Sequence, residues 1–139
     1  MPRTQDTRWA SIASPLGKDK LLFRRMAGVE ELGRIFQYEV ELCSEDPNIT
    51  FDQIIGQNVT VRMNYSDSGA RFINGVINRF ARTQEVEDLT YYQATIVPSL
   101  WFLTRTRDCR IYQNQDAVAI IKSVLSEQGI SKVEYKLGS

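Results

Sequence analysis

The densest grouping of residues able to do chemistry is WFLTRTRDCRIY, where Arg105, Arg107 and Arg110 lie beside Trp101, Phe102 and Tyr112. Guanidinium groups interleaved with aromatic rings can hold single-stranded nucleic acid on a small barrel, by phosphate pairing and base stacking. The same residue types are the usual anchors of protein–protein interfaces. Asp108 inside the run dilutes the phosphate-binding case, so Trp101, Arg105, Arg107, Arg110 and Tyr112 are assigned as a candidate protein interface.

Two other groupings fail on their own terms. Gly28-Val29-Glu30-Glu31-Leu32-Gly33-Arg34 has the glycine spacing of a P-loop, but Arg34 stands where the lysine belongs and Ile35 where a hydroxyl would hold Mg²⁺. Two glutamates inside the loop would repel phosphate, and the segment leads into a strand rather than a helix. Glu85, Glu87 and Asp88 could be taken for hydrolytic carboxylates. Their spacing is local and nothing identifies an opposing partner, so they read as a solvated connector, as do Glu45 and Asp46.

The chain has no histidine, which removes Ser-His-Asp and Cys-His catalysis and imidazole metal sites. Cys43 and Cys109 are isolated and read as reduced structural residues. No catalytic residue, metal site or cofactor is therefore expected, and an enzyme has no candidate site. The 17 Lys and Arg balance the 17 Asp and Glu, so the charge excess of a dedicated nucleic-acid binder is missing.

These residues must be positioned by a chain of 139 residues, the size of one domain that buries roughly 70% of its unfolded surface. Residues 1–13 lack an apolar signal-peptide core, and no apolar run approaches the roughly 20 residues that cross a bilayer. Synthesis in the cytoplasm without stable membrane anchoring is the expectation. Phe36, Tyr38, Val40 and Leu42 alternate with Gln37, Glu39 and Glu41, the period of a half-buried strand across Arg34–Cys43. Strands are also predicted over 8–12, 20–27, 58–65, 71–82 and 89–97, the last stopped by Pro98. A loop is expected at Gly28–Gly33, a helical turn at Phe51–Ile55 capped by Thr50, and a hairpin turn at Ser66–Gly69. Gly75 marks a bulge or close backbone approach. Adjacent Tyr91 and Tyr92 must face opposite sides of their strand.

Trp101 and Leu103 are expected to be buried, and Cys109–Gln113 is a candidate last strand. Ala117, Ile120, Ile121, Val124 and Leu125 make one stripe of an amphipathic helix, with Asn114 as its N-cap and Gly129 as its stop. The sum is a mainly β (α+β) fold, an antiparallel barrel with one helix near the C-terminus.

Four segments in order carry a further signal: PLGKDKLLFRRMAGVEELGRIFQYEVELCSED, ITFDQIIGQNVTVRM, RFINGVINRFART and YYQATIVPSLWFLTRTRDCRIYQNQDAVAIIKSVLSEQGI. Together they resemble the N-terminal hub module of VgrG proteins, the trimeric spike hubs of type VI secretion systems, related to contractile phage tail hubs. The resemblance runs from about Leu16 to Ile130. It implies that residues 1–139 form a single β-barrel domain of the phage tail hub type, within a longer hub–OB–needle protein. It implies a homotrimer in the full-length protein that docks on the hexameric Hcp tube and is secreted by the type VI apparatus. A tip protein and effectors would be carried by downstream domains. A hub subunit of a contractile phage-tail-like particle is the alternative, and a small-barrel nucleic-acid module a more distant one.

Overall fold

The computed structural model describes residues 3–65, 69–131 and 133–136. The chain packs as two compact units, Met1–Pro98 and Ser99–Ser139. The first holds six antiparallel strands: β1 Ala10–Ala13, β2 Leu22–Val29, β3 Gln37–Ser44, β4 Asn58–Tyr65, β5 Gly69–Val86 and β6 Leu89–Val97. They form one sheet in the order β1-β4-β5-β6-β3-β2, curled into a half-barrel.

Alternation decides which face is inside. On β3, Tyr38, Val40 and Leu42 point inward and pair with Ile96, Ala94 and Tyr92 of β6, which are also buried. Val59, Val61 and Met63 of β4 and Ile73, Ile77 and Phe80 of β5 complete that core. Each fully buried Val, Leu or Ile here contributes about 1.5–3 kcal/mol. Tyr92 is 2% exposed and stacks on Phe80 with ring centroids 4.8 Å apart, whereas Tyr91 faces outward beneath the Arg24 guanidinium.

β5 is the spine that curls the sheet. Its first half pairs with β4 and its second half with β6, and its register slips at two bulges, between Ile77 and Arg79 and between Arg82 and Gln84. Bulges add local twist and bend the strand. Gly75 sits where β5 passes from one neighbour to the other. A Cβ there would lie 2.5 Å from the Val97 carbonyl oxygen and 2.8 Å from Ile96 Cγ2, so the expected close backbone approach is present.

Several boundaries differ from the sequence expectations. β2 continues through Gly28 and Val29 because both pair with β3, so the expected loop begins later. Gln84–Val86 belong to β5 despite their polarity, because they pair with Tyr91, Thr90 and Leu89 across the tight turn at Glu87-Asp88. The helical turn is a 3₁₀ helix, Phe51–Gln53, with the Thr50 N–H donating to Gln53 Oε1. Residues 66–68 of the predicted hairpin turn lie outside the described residues.

The second unit contains a 3₁₀ helix, Ser99–Arg105, and α1, Ala117–Glu127. Residues 109–113 form no strand; they run as irregular backbone. The N-cap of α1 is Asp116, whose side chain accepts from the Ala119 N–H at 2.7 Å. Asn114 cannot serve, because its φ of 55° is left-handed while an N-cap needs extended backbone.

The sheet's two edge strands, β1 and β2, meet at a seam occupied by the side chain of Gln5. Its Oε1 accepts from the N–H groups of Ile12 at 3.0 Å and Phe23 at 2.9 Å. Its Nε2 donates to the carbonyls of Ile12 at 3.2 Å and Leu21 at 3.0 Å. Gln5 is 6% exposed, and these four bonds use both acceptor and both donor positions of a carboxamide.

Candidate protein interface

The arginine–aromatic residues lie in the second unit, in two groups. Trp101 and Phe102 sit on the 3₁₀ helix in a T-shaped pair, centroids 5.6 Å apart. The Arg105 guanidinium lies 5.3 Å from the Trp101 ring centroid, so the ring face screens one side of the charge. Trp101 and Leu103 are half-buried rather than fully buried.

Arg110 is held differently. Its Nε donates to Asp108 Oδ2 at 2.5 Å, and its Nη1 donates to Glu127 on α1. The two carboxylates raise the Arg110 pKa, and hydrogen bonding to Arg110 holds both carboxyls below their ordinary range. The bonds pin the irregular 106–113 segment to the last turn of α1. Tyr112 is half-buried and lines a shallow cavity with Arg110, Leu103, Val124 and Glu127. Arg107 is exposed and belongs to neither group. Arg110, already paired with two carboxylates, has little left for phosphate.

The apolar stripe of α1 is buried only at Leu125; Ala117 is exposed and Ile121 is 49% exposed. Ile111 is 88% exposed, and Leu100 and Phe102 are also exposed. A unit of this size is close to the lower limit at which a chain builds a core of its own. Together with the arginines, these side chains make an amphipathic surface of the composition that interfaces use.

The barrel unit presents a second such surface at one rim. The loop after β2 carries Leu32, which is fully exposed, between exposed Val29 and Ile35. Glu30 of this loop is bonded at 2.6 Å by Arg71 Nη2 on β5, which also reaches the Tyr38 hydroxyl at 3.4 Å. Burial, then hydrogen bonding to Glu30, pushes the Tyr38 hydroxyl up to about 12. The ion pair fixes the loop base against the β4–β5 hairpin, where Tyr65 and Phe72 are likewise exposed. Leu32 lies within the glycine-spaced stretch read only as a turn; a leucine inside an expected loop was the available signal.

Among the described residues no group of three or more His, Cys, Asp or Glu side chains is placed to hold a metal ion. Cys43 is buried and Cys109 exposed, and both are free. No helix among the described residues is long and apolar enough to cross a membrane.

Comparison with known proteins gives a consistent result. The family model for the phage tail baseplate hub (GPD) matches residues 29–139. The type VI secretion system spike protein VgrG1a of Pseudomonas aeruginosa is 42% identical over 133 residues, 96% of this chain and 21% of that protein. VgrG1b of the same organism is 40% identical over 137 residues, 99% of this chain and 18% of that protein. The chain thus spans about a fifth of the length of these curated relatives. Among solved structures, the E. coli c3393 protein aligns with a TM-score of 0.72 at 25% identity, over 84% of this chain and 32% of that one. That protein is a component of the type VI secretion system with structural similarity to the T4 bacteriophage tail proteins gp27 and gp5. The curled antiparallel sheet and identity along nearly the whole chain lead to one assignment: the chain belongs to the phage tail baseplate hub family, as a hub domain of the VgrG kind.

Proposed function

We propose that this domain is a structural, non-catalytic part of a type VI secretion spike. It supplies the first barrel of a trimeric hub that docks on the Hcp tube and leaves the cell with the spike. The observation that carries this reading is identity of about 40% to spike proteins along 96–99% of the chain. A docking platform needs a stiff barrel with managed strand edges and broad complementary surfaces, and it needs no titratable site. The strands, the Gln5 seam and the two amphipathic surfaces fit that requirement.

Within this reading Trp101, Arg105, Arg107, Arg110 and Tyr112 act as an interface to other parts of the hub or to the tube. The domain is single, residues 1–139, and lies in a longer protein whose further domains carry tip protein and effectors. Export proceeds through the type VI apparatus. The test is to tag the full-length protein in its own cells and isolate it by the tag. Recovery of Hcp with it, lost when the hub segment is deleted, supports the proposal; recovery unaffected by that deletion overturns tube docking by this domain.

A hub subunit of a contractile phage-tail-like particle is the second reading, favoured by the phage origin of the matching family model. It predicts that the tagged protein sediments with sheathed particles in culture fluid, without Hcp.

A further inference from the structure

Barrels close when the last strand pairs with the first, which removes both edges. Here that final ladder is absent. β1 and β2 face each other across a gap, and the groups lining it are backbone: the N–H and C=O of Ile12, the C=O of Leu21 and the N–H of Phe23. All four are satisfied by one carboxamide, the chemical equivalent of a peptide group. Gln5 stands where a peptide unit of a further strand would stand.

Outside those four bonds the segment that delivers Gln5 has few ties, one of them the Gln5 N–H donating to Asp19 Oδ1 at 3.1 Å. Lys18 Nζ donates to Asp6 Oδ2 at 2.9 Å, but both side chains are well exposed. Arg3 reaches Glu45 through its backbone N–H at 3.2 Å and Asp88 through Nη2 at 3.3 Å, again at the surface. Arg8 Nη1 donates to the Phe23 carbonyl at 3.3 Å. The exposed pairs of Lys18 and Arg3 add little. The buried bonds of the strap are those of Gln5, and they join two strands that make no ladder with each other.

We propose that residues 3–8 form a latch, with Gln5 as its bolt, and that release of this latch is the first opening of the barrel. Opening unpairs the β1–β2 seam and leaves the β3–β6–β5 centre intact. It leaves a slot between β1 and β2 lined by two free N–H donors and two free carbonyls.

Amide hydrogen exchange in the full chain tests this. In the unaltered protein the Ile12 and Phe23 amides should exchange at least 100-fold faster than those of Val40 and Ala94. Their rates should be insensitive to low denaturant, while those of Val40 and Ala94 rise steeply, the pattern that separates local from global opening. One shared opening free energy and denaturant slope for all four amides would overturn the latch. In Gln5→Leu, protection at Ile12 and Phe23 should fall to the unfolded-chain rate while Val40 and Ala94 stay protected. Retained protection at the seam would equally overturn it. If Gln5→Leu fails to fold, the denaturant series on the unaltered chain decides alone.

Discussion

Gln5 and Ile12 make the reciprocal pair of hydrogen bonds that two paired strand residues would make, Ile12 N–H to Gln5 Oε1 at 3.0 Å and Gln5 Nε2 to Ile12 O at 3.2 Å. A side chain thereby does for β1 what a neighbouring backbone would do. Replacing it leaves buried backbone groups without partners, each costing about 1–3 kcal/mol, part of which is recovered as water enters the seam. Gln5→Leu should lower unfolding free energy by about 2–4 kcal/mol, measured by denaturant titration.

Gln5→Glu carries a pH signature. A carboxylate would face the carbonyls of Ile12 and Leu21 and would be desolvated, so its folded-state pKa rises above the unfolded value of about 4.3. Stability associated with a raised pKa is present below the unfolded value and lost as pH climbs through the folded one. The deficit of Gln5→Glu relative to the unaltered protein should therefore be smaller at pH 4 than at pH 7. A pH-independent deficit would mean that the side chain has left the seam.

Gly75 is a position where volume cannot be added. The neighbour a Cβ would meet at 2.5 Å is the backbone carbonyl of Val97, which cannot rotate away. Gly75→Ala should cost about 1–3 kcal/mol, the usual range for overpacking, and shift the denaturant midpoint without changing its slope.

Tyr38 makes stability fall at high pH. Its hydroxyl titrates near 10 when unfolded and is pushed up to about 12 by burial and by Glu30. The benefit of a raised pKa is whole below pH 10 and disappears as pH rises towards 12, at up to about 1.4 kcal/mol per pH unit. Tyr38→Phe should lack this share of the alkaline loss, seen as a difference in thermal midpoint between the two proteins from pH 9 to 11.

Much of this architecture was legible in the residues. β4 and β6 alternate cleanly because each has one face in the core, and their limits at Asn58, Tyr65, Leu89 and Val97 were read correctly. The end of β5 was not, since Gln84–Val86 are strand by pairing rather than by pattern. The cap of α1 was misplaced by two residues because Asn and Asp are both good caps and only backbone conformation separates them. Gln5 was invisible for a deeper reason. Its role depends on two strands of different sequence position meeting around it, and nothing local distinguishes it from a polar residue in a tail. Of the interface residues, the types were legible, but the commitment of Arg110 to Asp108 and Glu127 was a tertiary fact.

That commitment separates the arginines in function. Arg105 and Trp101 are stacked at the surface, whereas Arg110 ties 106–113 to α1. If the surface is an interface anchor, Trp101→Ala in the full-length protein should weaken hub assembly by about 2 kcal/mol, roughly 30-fold. Arg110→Ala should instead raise the Glu127 carboxyl towards its ordinary range by NMR titration, because the hydrogen bond that lowers it is gone.

If this barrel works as part of an exported spike, it leaves the cell within a longer chain. The most direct measurement is an immunoblot, with antibody against residues 1–139, of source cells and their culture fluid. A product several times longer than 139 residues is expected, released together with Hcp and retained when the type VI apparatus is disabled. A product confined to the cells while Hcp is exported would contradict it.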